Sequence, residues 1–119
     1  MRDYKGISAK ARLKSLAITK EAMKNGIIPY PSKCELCGKT TGRIDYHSET
    51  YRSPTEGLFQ ICQGCHMRWH NRNRYPESFC KFMSEDNRYE KINKDMKESL
   101  KKEGFVWNEN QLTPPQKND

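Results

Sequence analysis

From Ser8 the apolar residues Leu13, Leu16, Ala17 and Met23 recur at helical spacing, while Lys10, Arg12, Lys14, Lys20 and Lys24 occupy the remaining faces. Ser8 is a suitable N-cap and Gly26 a suitable left-handed C-cap, so the pattern predicts a basic helix of about four turns. Ile27-Ile28-Pro29-Tyr30-Pro31 follows, and each proline biases its predecessor toward extended backbone. Between residues 34 and 65, Gly38, Gly42 and Gly57 separate short apolar pieces such as Leu58-Phe59-Gln60-Ile61, a pattern that predicts a small hairpin. The run from His66 to Arg72 suits a helix, in which His66 and His70 lie on one face. A short helix is expected over Pro76–Met83 and a longer one over Glu85–Glu103, capped by Ser84 or Asp86 and stopped by Gly104. Tyr89, Ile92, Met96 and Leu100 form the apolar stripe of that longer helix. Residues 111–119 are polar with two prolines and are expected to be disordered. The fold class is α+β: residues 1–75 form the main unit, 76–110 a helical extension packed on it, and 111–119 a tail.

Composition changes the picture by limiting the core. Only 34% of the 119 residues are hydrophobic and 31% are charged, so a single small domain with a covalent or metal staple is expected. The first residues, Met1 to Lys5, hold no apolar run of the kind a signal peptide needs, which leads to the expectation of a cytoplasmic protein. In a reducing compartment, cysteines bind metal or stay free rather than pair. No stretch is long enough to span a bilayer, and the basic helix has no Trp or Phe on a broad apolar face, so no membrane partner is expected.

Net charge is +7, distributed unevenly. Residues 1–33 carry eight Lys and Arg against two acids, residues 34–75 six against four, and residues 76–119 eight against nine. A basic front end beside a neutral tail suits a surface that neutralises phosphates. Nucleic acid is therefore the expected partner.

The cysteines carry the clearest chemistry. Cys34-x-x-Cys37 and Cys62-x-x-Cys65 are two chelating turns separated by 24 residues, the spacing of a structural zinc site with four thiolates. A redox dithiol comes as a single pair, and here there are two. Cys80 stands outside the set and is expected to pack as a small hydrophobe. All three histidines, His47, His66 and His70, lie inside or just after the cysteine frame, which points to a second site for a divalent metal.

Taken together, Cys34-x-x-Cys37, His47-Ser-Glu-Thr-Tyr51-x-x-Pro54 and Cys62-x-x-Cys65-His66-x-x-x-His70 resemble the zinc-bearing HNH, or ββα-metal, nuclease superfamily. The closer resemblance is to small phage-encoded HNH-type proteins in which a basic helix precedes the first cysteine pair; it spans roughly residues 8–72. The resemblance implies a zinc-stapled ββα-metal core. It also implies a divalent ion, such as Mg²⁺, Mn²⁺, Ni²⁺ or Zn²⁺, held at the positions of His47, His66 and His70. It further implies hydrolysis of phosphodiesters in double-stranded DNA, in the cytoplasm of a bacterial host if the gene is a phage's. Two family parts are not matched. Ser48 stands where a general-base histidine is expected, and the orienting asparagine is missing near Glu56-Gly57.

Glu49 is a candidate replacement base, with Asp45 or Glu56 as supplementary metal ligands, because carboxylates serve either purpose. Lys10, Arg12, Lys14, Arg68, Arg72 and Arg74 are the candidate phosphate contacts, and Trp69 is expected in the core. Two functions follow: a metal-dependent endonuclease, or a descendant with weakened activity, and an inactive zinc-finger-like module that binds DNA or a nucleoprotein partner. The C-terminal helices are a candidate surface for a protein partner.

Overall fold

The computed structural model describes residues 7–50 and 57–116. Ser8 opens the first helix, α1 (Ala9–Lys24), by accepting a hydrogen bond from the Ala11 amide at 3.1 Å. The helix ends where Gly26 takes φ +74°, so that its amide reaches the Met23 carbonyl and the Ile27 amide reaches Ala22. This paired bonding is a Schellman closure, which needs a residue at ease with positive φ. Thr19 and Ala22 are the buried residues of α1. Leu13, Leu16 and Ile18 are exposed, which corrects the apolar face expected from the sequence. The helix is fastened through its C-terminal half, where the closure turns the chain back toward the domain.

The middle of the chain forms a hairpin and a helix in immediate succession. Strand β1 (Ile44–Ser48) pairs antiparallel with β2 (Leu58–Cys62), in a register that sets His47 opposite Phe59 and Ile44 opposite Cys62. Helix α2 (Gln63–His70) starts directly from β2, with Cys62 at its N-cap. Helix α2 thus takes in the second cysteine turn, beginning before Cys65 rather than after it.

Helix α3 (Pro76–Ser84) carries proline in its first turn, where no hydrogen bond is lost. The single long helix expected over Glu85–Glu103 is instead broken. A 3-10 turn (Glu85–Asn87), α4 (Arg88–Lys91) and α5 (Lys94–Lys102) take its place. Asp86 and Asn87 both adopt φ near +50°, a region Asp and Asn tolerate better than other side chains. Ile92 then turns extended, and the Asn93 side chain caps α5 by accepting from the Met96 amide at 3.0 Å. This local side-chain bond competes with helix continuation and wins.

Two short strands finish the described chain. Strands β3 (Val106–Asn108) and β4 (Gln111–Thr113) pair antiparallel about Glu109 and Asn110, both at positive φ as a two-residue hairpin requires. The disorder expected from residue 111 is thereby corrected for 111–113. Leu112 is buried and its amide donates to the Ser84 hydroxyl at 2.9 Å. Residues 117–119 lie outside the described residues. One apolar cluster runs from Cys34 and Leu36 through Phe59, Ile61, Trp69, Phe79 and Met83 to Met96, Leu100, Phe105 and Leu112. The molecule is thus a small α+β fold whose C-terminal elements share the core of the hairpin and α2.

Candidate metal centre

The four cysteines meet where the loop before β1 folds against the junction of β2 and α2. Their sulfurs lie within 4.8 Å of one another, and all are free thiols. Cys37 Sγ and Cys62 Sγ are 3.7 Å apart. Two thiolates at 2.3 Å from a tetrahedral zinc stand about 3.8 Å apart, so the spacing is that of ligands and far beyond a disulfide. Cys34, Cys62 and Cys65 are buried, while Cys37 is exposed. Burial acts to raise the Cys34 thiol, yet backbone donors near Cys62, Cys37 and Leu36 outweigh it and bring it down to about 7. Burial pushes Cys65 and Cys37 up. Gly38 takes φ +83° as its amide returns to the Cys34 carbonyl at 2.8 Å, which closes the first chelating turn. The group is positioned to bind a metal, and four thiolates at this spacing fit structural zinc.

The three histidines converge separately. His47 comes from β1, and His66 and His70 from successive turns of α2. His47 Nδ1 lies 3.2 Å from His66 Nε2, which lies 2.9 Å from His70 Nε2. Nitrogens 2.0–2.1 Å from a common ion stand about 2.9 Å apart at a right angle and about 3.3 Å at a tetrahedral one. Both separations are in the range of ligands to one ion, and the three side chains are close enough that they could hold a metal. His66 is pushed down to about 4, by burial first and then by His47; His70 is pushed down to about 3, by loss of solvation and then by His66 and His47. Both are neutral at pH 7, the form that coordinates metal.

Behind His47 stands a buried polar network. The Glu49 carboxylate is fully buried; its Oε2 accepts from Trp69 Nε1 at 2.8 Å and lies 2.8 Å from His47 Nε2. Arg72 Nη2 lies 3.6 Å from Glu49 Oε1. Arg72 also donates to both carboxylate oxygens of Glu103, at 2.8 and 2.7 Å, and to the Trp69 carbonyl at 2.9 Å. Two sequence expectations change here. Glu49 is not placed as a base for an attacking water, because it faces inward against His47, Trp69 and Arg72. Arg72 is not a phosphate contact, because it is 2% exposed and bonded to Glu103.

In front of the histidines opens a cleft of about 650 Å³, with α1 as its opposite wall. Arg12, Lys20 and Arg43 line it together with His47, Ser48, His66 and His70. Of the predicted basic contacts, Arg12 is at this cleft. Lys10 and Lys14 are exposed elsewhere on α1. Arg68 is exposed with its guanidinium 4.5 Å from the Phe82 ring, and exposed Arg74 sits over Tyr75 at 5.4 Å. Lys20 and Arg43 were not singled out from the sequence, where nothing sets them apart from other surface cations. Ser48 is buried at the cleft wall, and Asp45, also at the cleft, pairs with Arg43 at 2.9 Å. Trp69 and Cys80 are in the core, and burial raises the Cys80 thiol to about 11. Tyr51, Pro54 and Glu56 lie outside the described residues.

Comparison with known proteins gives no match to a family model, to a curated protein or to a solved structure. No described helix is long and apolar enough to cross a membrane.

Proposed function

We propose that the chain is a metal-dependent, HNH-like phosphodiesterase acting on nucleic acid, with double-stranded DNA as the substrate that the resemblance favours. The observation that carries this reading is the convergence of three imidazole nitrogens within 3.2 Å steps at the floor of a cleft bordered by Arg12, Lys20 and Arg43. The order β1, β2, α2, with one histidine on the hairpin and two on the helix, supports it. A divalent ion held by His47, His66 and His70 would supply charge stabilisation to a transferring phosphate and its leaving oxygen. The chain's own part is to orient. His66 and His70 are fixed one helical turn apart on α2, and the cations across the cleft draw the phosphate backbone toward them. The four-cysteine site ties the loop before β1 to the junction of β2 and α2, and with it the frame of the histidines.

A second reading is a binding module that keeps this frame without cutting. It is favoured by Ser48 and Glu49. The first is a poor base at neutral pH, and the second is turned away from the cleft. Incubation of the protein with plasmid and linear DNA in Mg²⁺, Mn²⁺, Ni²⁺ or Zn²⁺, beside His70→Ala, separates the two. Cleavage that requires both metal and His70 supports the phosphodiesterase. DNA binding without such cleavage rejects it and leaves the binding module. Affinity that stays constant as salt rises would remove the phosphate contacts from either reading.

A further inference from the structure

The sequence assigns no part in the site to the C-terminal extension, yet the extension reaches the histidines through buried groups. Glu103 is the C-cap residue of α5. Its place is fixed by the turn that follows, where Gly104 at φ +98° donates to the Lys101 carbonyl and the Phe105 amide donates to Leu100. Phe105 is buried, and a Cβ on Gly104 would meet Pro115 at 3.1 Å. The Glu103 carboxylate is thus delivered from a closed turn rather than from a loose side chain on a free helix end. It accepts two hydrogen bonds from Arg72, whose side chain is 3% exposed, and a third from Asn73 Nδ2 at 3.3 Å.

The direction of the remaining bonds follows from what each group can give. An indole N–H only donates, and so does a guanidinium. Glu49, set between Trp69 Nε1 and Arg72 Nη2, is held as an acceptor. Its Oε2 already accepts from Trp69 and its Oε1 faces the Arg72 cation, surroundings that favour the ionised carboxylate, and toward an ionised Glu49 the 2.8 Å contact is one that His47 Nε2 donates. The proton on Nε2 leaves the Nδ1 lone pair free, and Nδ1 is the atom that faces His66.

We propose that Glu103 and Arg72 are positioning residues for the metal centre: through Glu49 they fix His47 as the Nε2–H tautomer, with Nδ1 presented to the ion. The inference rests on the reading of the three histidines as a metal site. It makes the C-terminal extension part of that site's machinery rather than a separate docking surface. Groups behind a ligating histidine commonly change metal affinity about 10–100-fold when altered.

The test uses the 119-residue chain carrying one equivalent of zinc, with wild type, Arg72→Met and Glu103→Gln compared. Long-range ¹H–¹⁵N spectra of the imidazoles report the tautomer of His47, and a titration with Co²⁺ reports binding at the second site. Far-UV circular dichroism and zinc content establish that each variant is folded. Wild type should show Nε2–H. Arg72→Met should show an admixture of Nδ1–H and a loss of Co²⁺ affinity of about ten-fold or more. Glu103→Gln keeps one acceptor oxygen and sits at the more exposed end of the network. It should shift both readouts in the same direction by less, and it serves as the test if Arg72→Met does not fold. Retention of the Nε2–H tautomer and wild-type Co²⁺ affinity in the folded variants would overturn the proposal. A shift in Arg72→Met with none in Glu103→Gln would overturn the part given to the extension. The tautomer is read without a second ion. A wild type that shows Nε2–H yet binds no Co²⁺ beyond the cysteine site therefore rejects the metal reading and not the positioning.

Discussion

The two ligand clusters of this molecule are built from neighbouring residues of the same hairpin and helix, yet they differ in closure. The cysteine group offers four ligands, three of them buried, and leaves no place for a further one on a tetrahedral ion. The histidine group offers three, with His47 buried and His70 exposed at a cleft. A site whose coordination is complete can only hold structure together. A site with an open side and a cavity in front of it can also meet a substrate. Cys65 and His66 are adjacent on α2, so one helix carries residues of both groups.

The largest expected effect breaks the closed site. Cys34→Ser removes a fully buried ligand, and structural zinc in small modules contributes about 10–16 kcal/mol of apparent binding energy, more than most domains have to spare. The variant should lose its zinc and unfold by circular dichroism, as should the wild type under a strong chelator. Retention of fold and zinc in Cys34→Ser would contradict the structural assignment.

His70→Ala should do the reverse. The residue is exposed, so the change in stability should stay within about 0.5 kcal/mol, and the cysteine-bound zinc should remain. Metal binding at the second site should be lost, and any cleavage should fall by at least about 10²-fold, the scale of several kcal/mol of charge stabilisation. Thermal unfolding beside metal analysis checks both halves. Unfolding of His70→Ala would show that the two sites do not divide the work as the comparison holds.

The glycines sharpen the comparison within the closed site. Gly38 is at positive φ, and Ala there should cost about 1 kcal/mol or more. Gly64 lies in α2, where an added Cβ meets nothing within 4 Å, and Ala there should be neutral or stabilising by up to about 1 kcal/mol. Denaturant titration of both variants, with zinc bound, gives the two values.

The smallest expected effect concerns the fifth thiol. In the zinc-loaded protein no cysteine should react readily with an aromatic disulfide reagent, exposed Cys37 included. Chelation, which unfolds the chain, should release the four ligand thiols and Cys80 with them, since the burial that covers Cys80 and raises it to about 11 belongs to the folded state. Rapid reaction of one thiol before chelation would mean that Cys37 or Cys80 is not held as described.

Much of the closed site was legible in the sequence because Cys-x-x-Cys is a local pattern whose chemistry depends on spacing along the chain. The histidine pair on α2 was legible for the same reason. What escaped the sequence depends on distant partners. Glu49 reads as a candidate base until Trp69, twenty positions later, is seen to donate to it. Arg72 reads as one more cation in a basic run until Glu103, thirty-one positions away, is seen to accept from two of its three nitrogens. The broken helix at Ile92 had a local signal in Asn93, a good N-cap, which the continuous apolar stripe obscured. The strand at Gln111–Thr113 was hidden by polar neighbours, although Leu112 supplies a core residue.

The most direct test of the division between a closed and an open site is anomalous X-ray scattering from crystals of the full chain grown with excess Mn²⁺ after zinc loading. Two metal peaks are predicted, a zinc peak among the sulfurs of Cys34, Cys37, Cys62 and Cys65, and a manganese peak within bonding distance of His47 Nδ1, His66 Nε2 and His70 Nε2. A zinc peak alone, with the three imidazoles bonded to one another in saturating metal, would contradict the account.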